Sequence, residues 1–84
     1  MDDVFTKRLN DAKRLKMYRK LIGMKAYEMA EILGVDQPEY SKKENGYSNI
    51  REDQIQKARD LFIAWRVKEI DRLNGQIQYL KEIL

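Results

Sequence analysis

The sequence predicts an all-α fold: a four- to five-helix domain over residues 1–62, followed by a C-terminal amphipathic, coiled-coil-like helix over residues 63–84. Three observations carry this. Apolar residues recur at three- and four-residue spacing, with no run of alternating apolar and polar residues long enough for a strand. Two Asp/Asn-x-x-Glu segments, Asp36–Glu39 and Asn49–Glu52, have the form of capping boxes that open helices. Glycines at 23, 34 and 46 punctuate the chain at intervals that suit helix ends.

In the first helix, Val4, Phe5, Leu9, Ala12, Leu15, Tyr18 and Ile22 are expected on the core side, and Gly23 closes it. A short second helix, residues 25–33, buries Met29, Ala30 and Leu33 and stops at Gly34. Asp36 caps a third helix, with Pro38 in an early position that tolerates the missing N–H, and Asn45-Gly46 ends it. The same grammar at Asn49 places the start of a fourth helix near Ile50, burying Ile55, Ala58, Leu61 and Phe62. Beyond it, Ile63, Ile70, Ile77 and Leu84 recur every seventh residue, with Leu73 and Leu80 in the companion positions. That is coiled-coil spacing, interrupted by Arg66 at the first companion position. A single helix folding back on its own domain would show similar spacing, so both readings stand at this point. Trp65 fits a packing role at the junction of the fourth helix and the tail, with an interface anchor as the alternative.

Composition narrows the function. The 84 residues contain no Cys and no His, which removes disulfides, thiol chemistry and the usual zinc ligands, and suits a cytoplasmic protein without cofactor or metal. No glycine-rich phosphate loop, His-Glu metal motif or nucleophile elbow is present, so no catalytic residue is assigned and an enzyme is not expected. Neither a signal peptide nor a membrane span is expected. The net charge of +3 is unevenly placed: residues 1–25 carry eight Lys/Arg against three Asp, and residues 26–60 carry five basic against eight acidic side chains. A basic first helix beside a more acidic middle suggests one side that faces a polyanion.

The segment from Ala26 to Gly46 is the informative one. Two closely crossing helices need a small residue where they touch, supplied by Ala30, and the tight link between them needs a residue tolerant of positive φ, supplied by Gly34. Val35 and Tyr40 would seat the third helix on the first two. Met29-Ala30-Glu31-Ile32-Leu33-Gly34-Val35 and Tyr40-Ser41-Lys42-Lys43-Glu44-Asn45-Gly46, with Arg19 and Gly23 ahead of them, closely resemble the helix-turn-helix of the XRE family, the Cro/lambda-repressor-like DNA-binding domains. The resemblance runs from about Leu15 to Phe62. It implies a bundle of four or five helices whose third helix, residues 37–45, enters the DNA major groove, in repressors or antitoxins that commonly bind palindromic sites as dimers. Three positions depart from the family pattern. Ala26 stands where a polar residue, often Gln, is usual; Tyr40 replaces Ile or Val; and Lys43 occupies a position usually aliphatic, so its stem must snorkel or the helix must end differently.

On this reading Gln37, Pro38, Ser41, Lys42 and Asn45 are the candidate base contacts, with Gln37 suited to bidentate pairing with adenine and Pro38 to a thymine methyl. Arg19, Tyr47, Ser48, Asn49 and Arg51 are the candidate phosphate contacts. Asn45 also suits a simple helix cap. In the family, the residue matching Glu44 braces the domain internally, and Arg19 is its first expected partner. The partners expected are double-stranded DNA and a second copy of the chain, joined through Ile63, Ile70, Leu73, Ile77, Leu80 and Leu84. A module in which the C-terminal helix instead holds a protein partner, as in an antitoxin or a phage assembly protein, remains open.

Overall fold

The computed structural model describes residues 3–83 and contains four helices: α1 (Asp3–Ile22), α2 (Ala26–Leu33), α3 (Gln37–Glu44) and α4 (Glu52–Ile83). Leu84, assigned to the tail seam, lies outside the described residues. No strand occurs among the described residues. The core gathers Leu15 and Tyr18 of α1, Met29, Ala30 and Leu33 of α2, Tyr40 of α3, and Ile55 and Ala58 of α4.

Local chemistry sets each boundary. At the start of α2, the Glu28 carboxylate accepts from the Lys25 amide at 2.9 Å. Gly34 ends α2 in the left-handed region at φ 74°, and its neighbour Val35 donates its amide back to Ala30. The Asp36 carboxylate accepts from the Glu39 amide at 2.8 Å, so α3 is capped as its sequence requires, with Pro38 in its first turn. Gly46 (φ 83°) closes α3 in a conformation that favours glycine; a Cβ there would stand 3.0 Å from a Leu9 methyl, which would have to shift slightly.

Two expectations are corrected. Helix α4 begins at Glu52, not near Ile50, because the cap is formed by Arg51 and Gln54: the Gln54 side chain accepts from the Arg51 amide at 3.0 Å, and the Gln54 amide donates to the Arg51 carbonyl. The Asn49 side chain is engaged elsewhere. In α1, Val4, Phe5 and Leu9 are exposed rather than core-facing. Helical rotation carries Leu9 away from the line through Ala12, Leu15 and Tyr18, whereas Phe5 is on the Ala12 side of the helix and, like Val4, lies too near its start to be covered. Val4 lies beyond the point where α4 begins, since Lys7 already reaches Glu52, the first residue of α4. Asp11 takes a buried place on that face instead, with Lys7 and Arg14 paired to its carboxylate.

The division expected at 62/63 falls inside a single unbroken helix. α4 passes through Gly75 and continues to Ile83. Tyr18, Phe62 and Trp65 stack in succession, with ring centroids 4.9 and 5.9 Å apart, and this aromatic series marks where α4 leaves the domain.

Candidate nucleic-acid interface

α3 has two unlike faces. Inward, Tyr40 is fully buried, and Lys43 is buried to 8% side-chain exposure. The Lys43 stem lies in the interior and its ammonium donates to the Asn49 carbonyl at 2.6 Å, so the departure from an aliphatic residue is accommodated by carrying the charge through to the following loop. Outward, Gln37, Pro38, Lys42 and Asn45 are exposed, and Ser41 is half-buried on the same side. Among the described residues, no hydrogen bond or ion pair holds the side chains of Gln37 or Lys42. The Asn45 amide is engaged, donating to the Ser41 carbonyl at 2.8 Å, so it closes the last turn of α3.

Glu44 and Arg19 form the central brace between α3 and α1. The guanidinium donates twice to the carboxylate, Nε at 2.8 Å and Nη2 at 2.7 Å, and Nη1 donates to the Met24 carbonyl. Burial pushes the Glu44 carboxyl up, but the hydrogen bonds and charge of Arg19, together with the neighbouring Tyr40 hydroxyl, outweigh it and hold the group below the ordinary range. Burial raises the Tyr40 phenol far above its usual value, and Glu44 beside it adds to the shift. The Tyr40 hydroxyl feels both charges but is not in direct hydrogen-bonding geometry with either. Of the two roles expected of Arg19, phosphate contact and partner of Glu44, this is the second: all three of its nitrogens face internal acceptors, and its side chain is only 16% exposed.

The loop from Tyr47 to Arg51 joins α3 to α4 at the edge of the same surface. Tyr47 is 80% exposed, and Ser48 donates its hydroxyl to Glu39 at 2.8 Å. The Asn49 side-chain oxygen accepts from Arg8 Nε at 2.8 Å. Arg51 lies at the start of α4 and forms an exposed pair with Asp53, an interaction that solvent screens heavily. Arg8 is a residue that the linear sequence did not single out; only the fold brings it, 41 positions away, to this loop. The candidate base contacts thus share the open face of α3, and Tyr47, Ser48, Asn49, Arg51 and Arg8 border it on the loop side.

Ile63, Ile70, Leu73, Ile77 and Leu80 are each about half exposed along α4. Among the described residues no group of acidic side chains is placed to hold a metal ion, and no helix is long and apolar enough to cross a membrane.

A family model described as helix-turn-helix matches residues 15–62, more than half of the chain. Comparison with curated proteins and with solved structures returned no match.

Proposed function

This chain belongs to the helix-turn-helix family of XRE-type, Cro/lambda-repressor-like DNA-binding domains, and from that premise we propose that it is a sequence-specific transcriptional repressor acting as a dimer on duplex DNA. The observation that carries the reading is the open face of α3, where Gln37 and Lys42 present unpaired polar side chains while the opposite face is anchored by Tyr40, Lys43 and Glu44. A helix held this rigidly, with its polar groups unoccupied, suits insertion into the major groove. Gln37, Pro38, Ser41 and Lys42 read base edges, with Asn45 contributing from the end of the helix. Tyr47, Ser48, Asn49 and Arg51 meet phosphates, joined by Arg8. Arg19 acts behind this surface as the partner of Glu44.

One monomer presents a short recognition helix and few phosphate-binding groups, so two linked copies gain greatly in affinity. The exposed stripe Ile63, Ile70, Leu73, Ile77 and Leu80 joins them; its heptad spacing matches a second helix of the same kind. The same stripe supports a second reading, in which α4 holds a different protein, as in an antitoxin or an assembly module.

Selection of randomised duplexes on the purified protein, with sedimentation alongside, tests both. An enriched palindrome bound by a dimer is the expected result. Sequence-blind binding by a monomer would refute the regulator reading and favour the partner-binding one.

A further inference from the structure

We propose that Lys43 is a positioning residue for DNA binding: from within the core it holds the Tyr47–Arg51 loop in the shape that meets phosphates. The inference rests on the DNA-binding reading and assigns a role to a buried cation that base recognition does not require.

A lysine in this position is costly unless its charge has a purpose or a partner. Its side chain is 8% exposed, and its ammonium donates to the Asn49 backbone carbonyl at 2.6 Å, with the Glu39 carboxylate 3.7 Å away. That carboxylate in turn accepts from the Ser48 hydroxyl at 2.8 Å. The Asn49 side chain accepts from Arg8 of α1. Consecutive residues Ser48 and Asn49 are therefore tied to α3 by Glu39 and Lys43, and to α1 by Arg8. An aliphatic side chain would fill the same space beneath α3 but leave the Asn49 carbonyl to solvent. Lys43 thus transmits the position of the recognition helix to the loop beside it, so that the base-reading and phosphate-binding groups move as one body. Fixing the loop before binding lowers the ordering cost when phosphates are met.

Lys43→Met tests this, because methionine keeps the stem's length, with sulfur in place of one methylene, and removes the ammonium. Thermal unfolding should show a Tm no lower than the wild type's, since a buried charge is removed and the exposed Asn49 backbone can turn to water. Amide exchange across residues 47–51 should quicken, in protein without DNA. With DNA, affinity should fall several-fold, and the slope of log K against log salt should shrink by about one for each phosphate that the loosened loop no longer meets. The preferred base sequence should not change, because α3 still presents the same side chains. Unchanged exchange in the loop with a retained Tm would overturn the proposal, whether or not the protein binds DNA. Quickened exchange with no DNA binding by the wild type would instead refute the regulator reading and leave the tie itself intact. If Lys43→Met fails to fold, Glu39→Ala severs the companion tie at Ser48 from the surface; it must then give the quickened exchange and shallower salt slope, and their absence would overturn the proposal.

Discussion

Replacing Arg19 by methionine should be among the most damaging single changes in the domain. Arg19 and Glu44 pair through two short hydrogen bonds with side chains only 16% and 9% exposed, and Nη1 also holds the Met24 carbonyl at the end of α1. Removing one partner of a buried pair leaves the other charge uncompensated, at a cost of about 3–5 kcal/mol. Residual exposure places this case toward the lower end, about 3 kcal/mol, which for a domain this small is roughly 12–24 °C in Tm. Removing both partners is a different perturbation. Arg19→Met with Glu44→Leu leaves no buried charge and should recover most of the loss, to within about 1–2 kcal/mol of the wild type. Urea unfolding of the four proteins of this cycle measures the coupling directly. A cost below about 1 kcal/mol for Arg19→Met, or additive losses in the double variant, would refute the brace.

The pair also carries a pH signature. The Glu44 carboxyl titrates below its ordinary 4.5 in the folded state, because Arg19 and Tyr40 outweigh its desolvation. A carboxylate whose pKa is lowered on folding contributes stability that is complete above the unfolded value and is lost as pH falls through the folded one. The deficit of Arg19→Met relative to the wild type should therefore be full near neutrality and shrink as acid protonates Glu44, beginning above the ordinary 4.5, where burial unopposed by Arg19 places the variant's carboxyl, and ending below it, at the wild type's folded value. The same variants settle where Arg19 acts on DNA. At a temperature where the double variant is folded, its salt slope should match the wild type's; a slope lower by about one would put Arg19 back on a phosphate.

Three further outcomes are expected. Gln37→Ala combined with Ser41→Ala should abolish base preference in duplex selection while leaving far-UV circular dichroism and Tm unchanged; preserved preference would mean that another element reads the bases. Leu73→Lys should shift sedimentation from dimer to monomer and weaken operator binding, whereas a dimer that survives it does not use the α4 stripe. Gly34→Ala should cost about 1–2 kcal/mol through backbone conformation alone, since φ is 74° and a Cβ would meet no atom within 4 Å; a neutral result in thermal unfolding would show that the turn relaxes freely.

Features written over a few neighbouring residues were legible. Gly34, the Asp36–Glu39 cap and the small Ala30 between crossing helices each follow from a local requirement, and together they fix α2 and α3. The Arg19–Glu44 brace was also anticipated, from the family likeness, as the internal partner of Glu44. What depended on distant partners was not legible. Asn49–Glu52 has the form of a cap, but Arg8 engages the Asn49 side chain, and Arg51 with Gln54 takes over one turn later. Lys43 was visible as an anomaly, yet its acceptor is a backbone carbonyl that no side-chain pattern encodes. Exposure of Val4 and Phe5 was hidden for a related reason: periodicity identifies an apolar face but not how far along it a neighbouring helix reaches.

The last of these distinctions bears on α4, where spacing alone left fold-back open beside pairing. Gln54, Ile55, Ala58, Phe62 and Trp65 face the domain; at 100° per residue Ile63, Ile70 and Ile77 point about a third of a turn away, while Leu73 and Leu80 keep the line of Ile55 and Phe62 but lie beyond the domain's reach, about half exposed. One unbroken helix thus carries the domain contacts in its first part and an exposed apolar stripe beyond them. A tail folding back on its domain would need a break to reverse direction; Gly75 offers the weakest point, yet α4 runs through it unbroken. The length of the unbroken helix instead carries the apolar stripe past the domain, where its residues are about half exposed. A stripe so placed has no surface of its own chain to cover it, which is the physical ground for proposing a second helix against it.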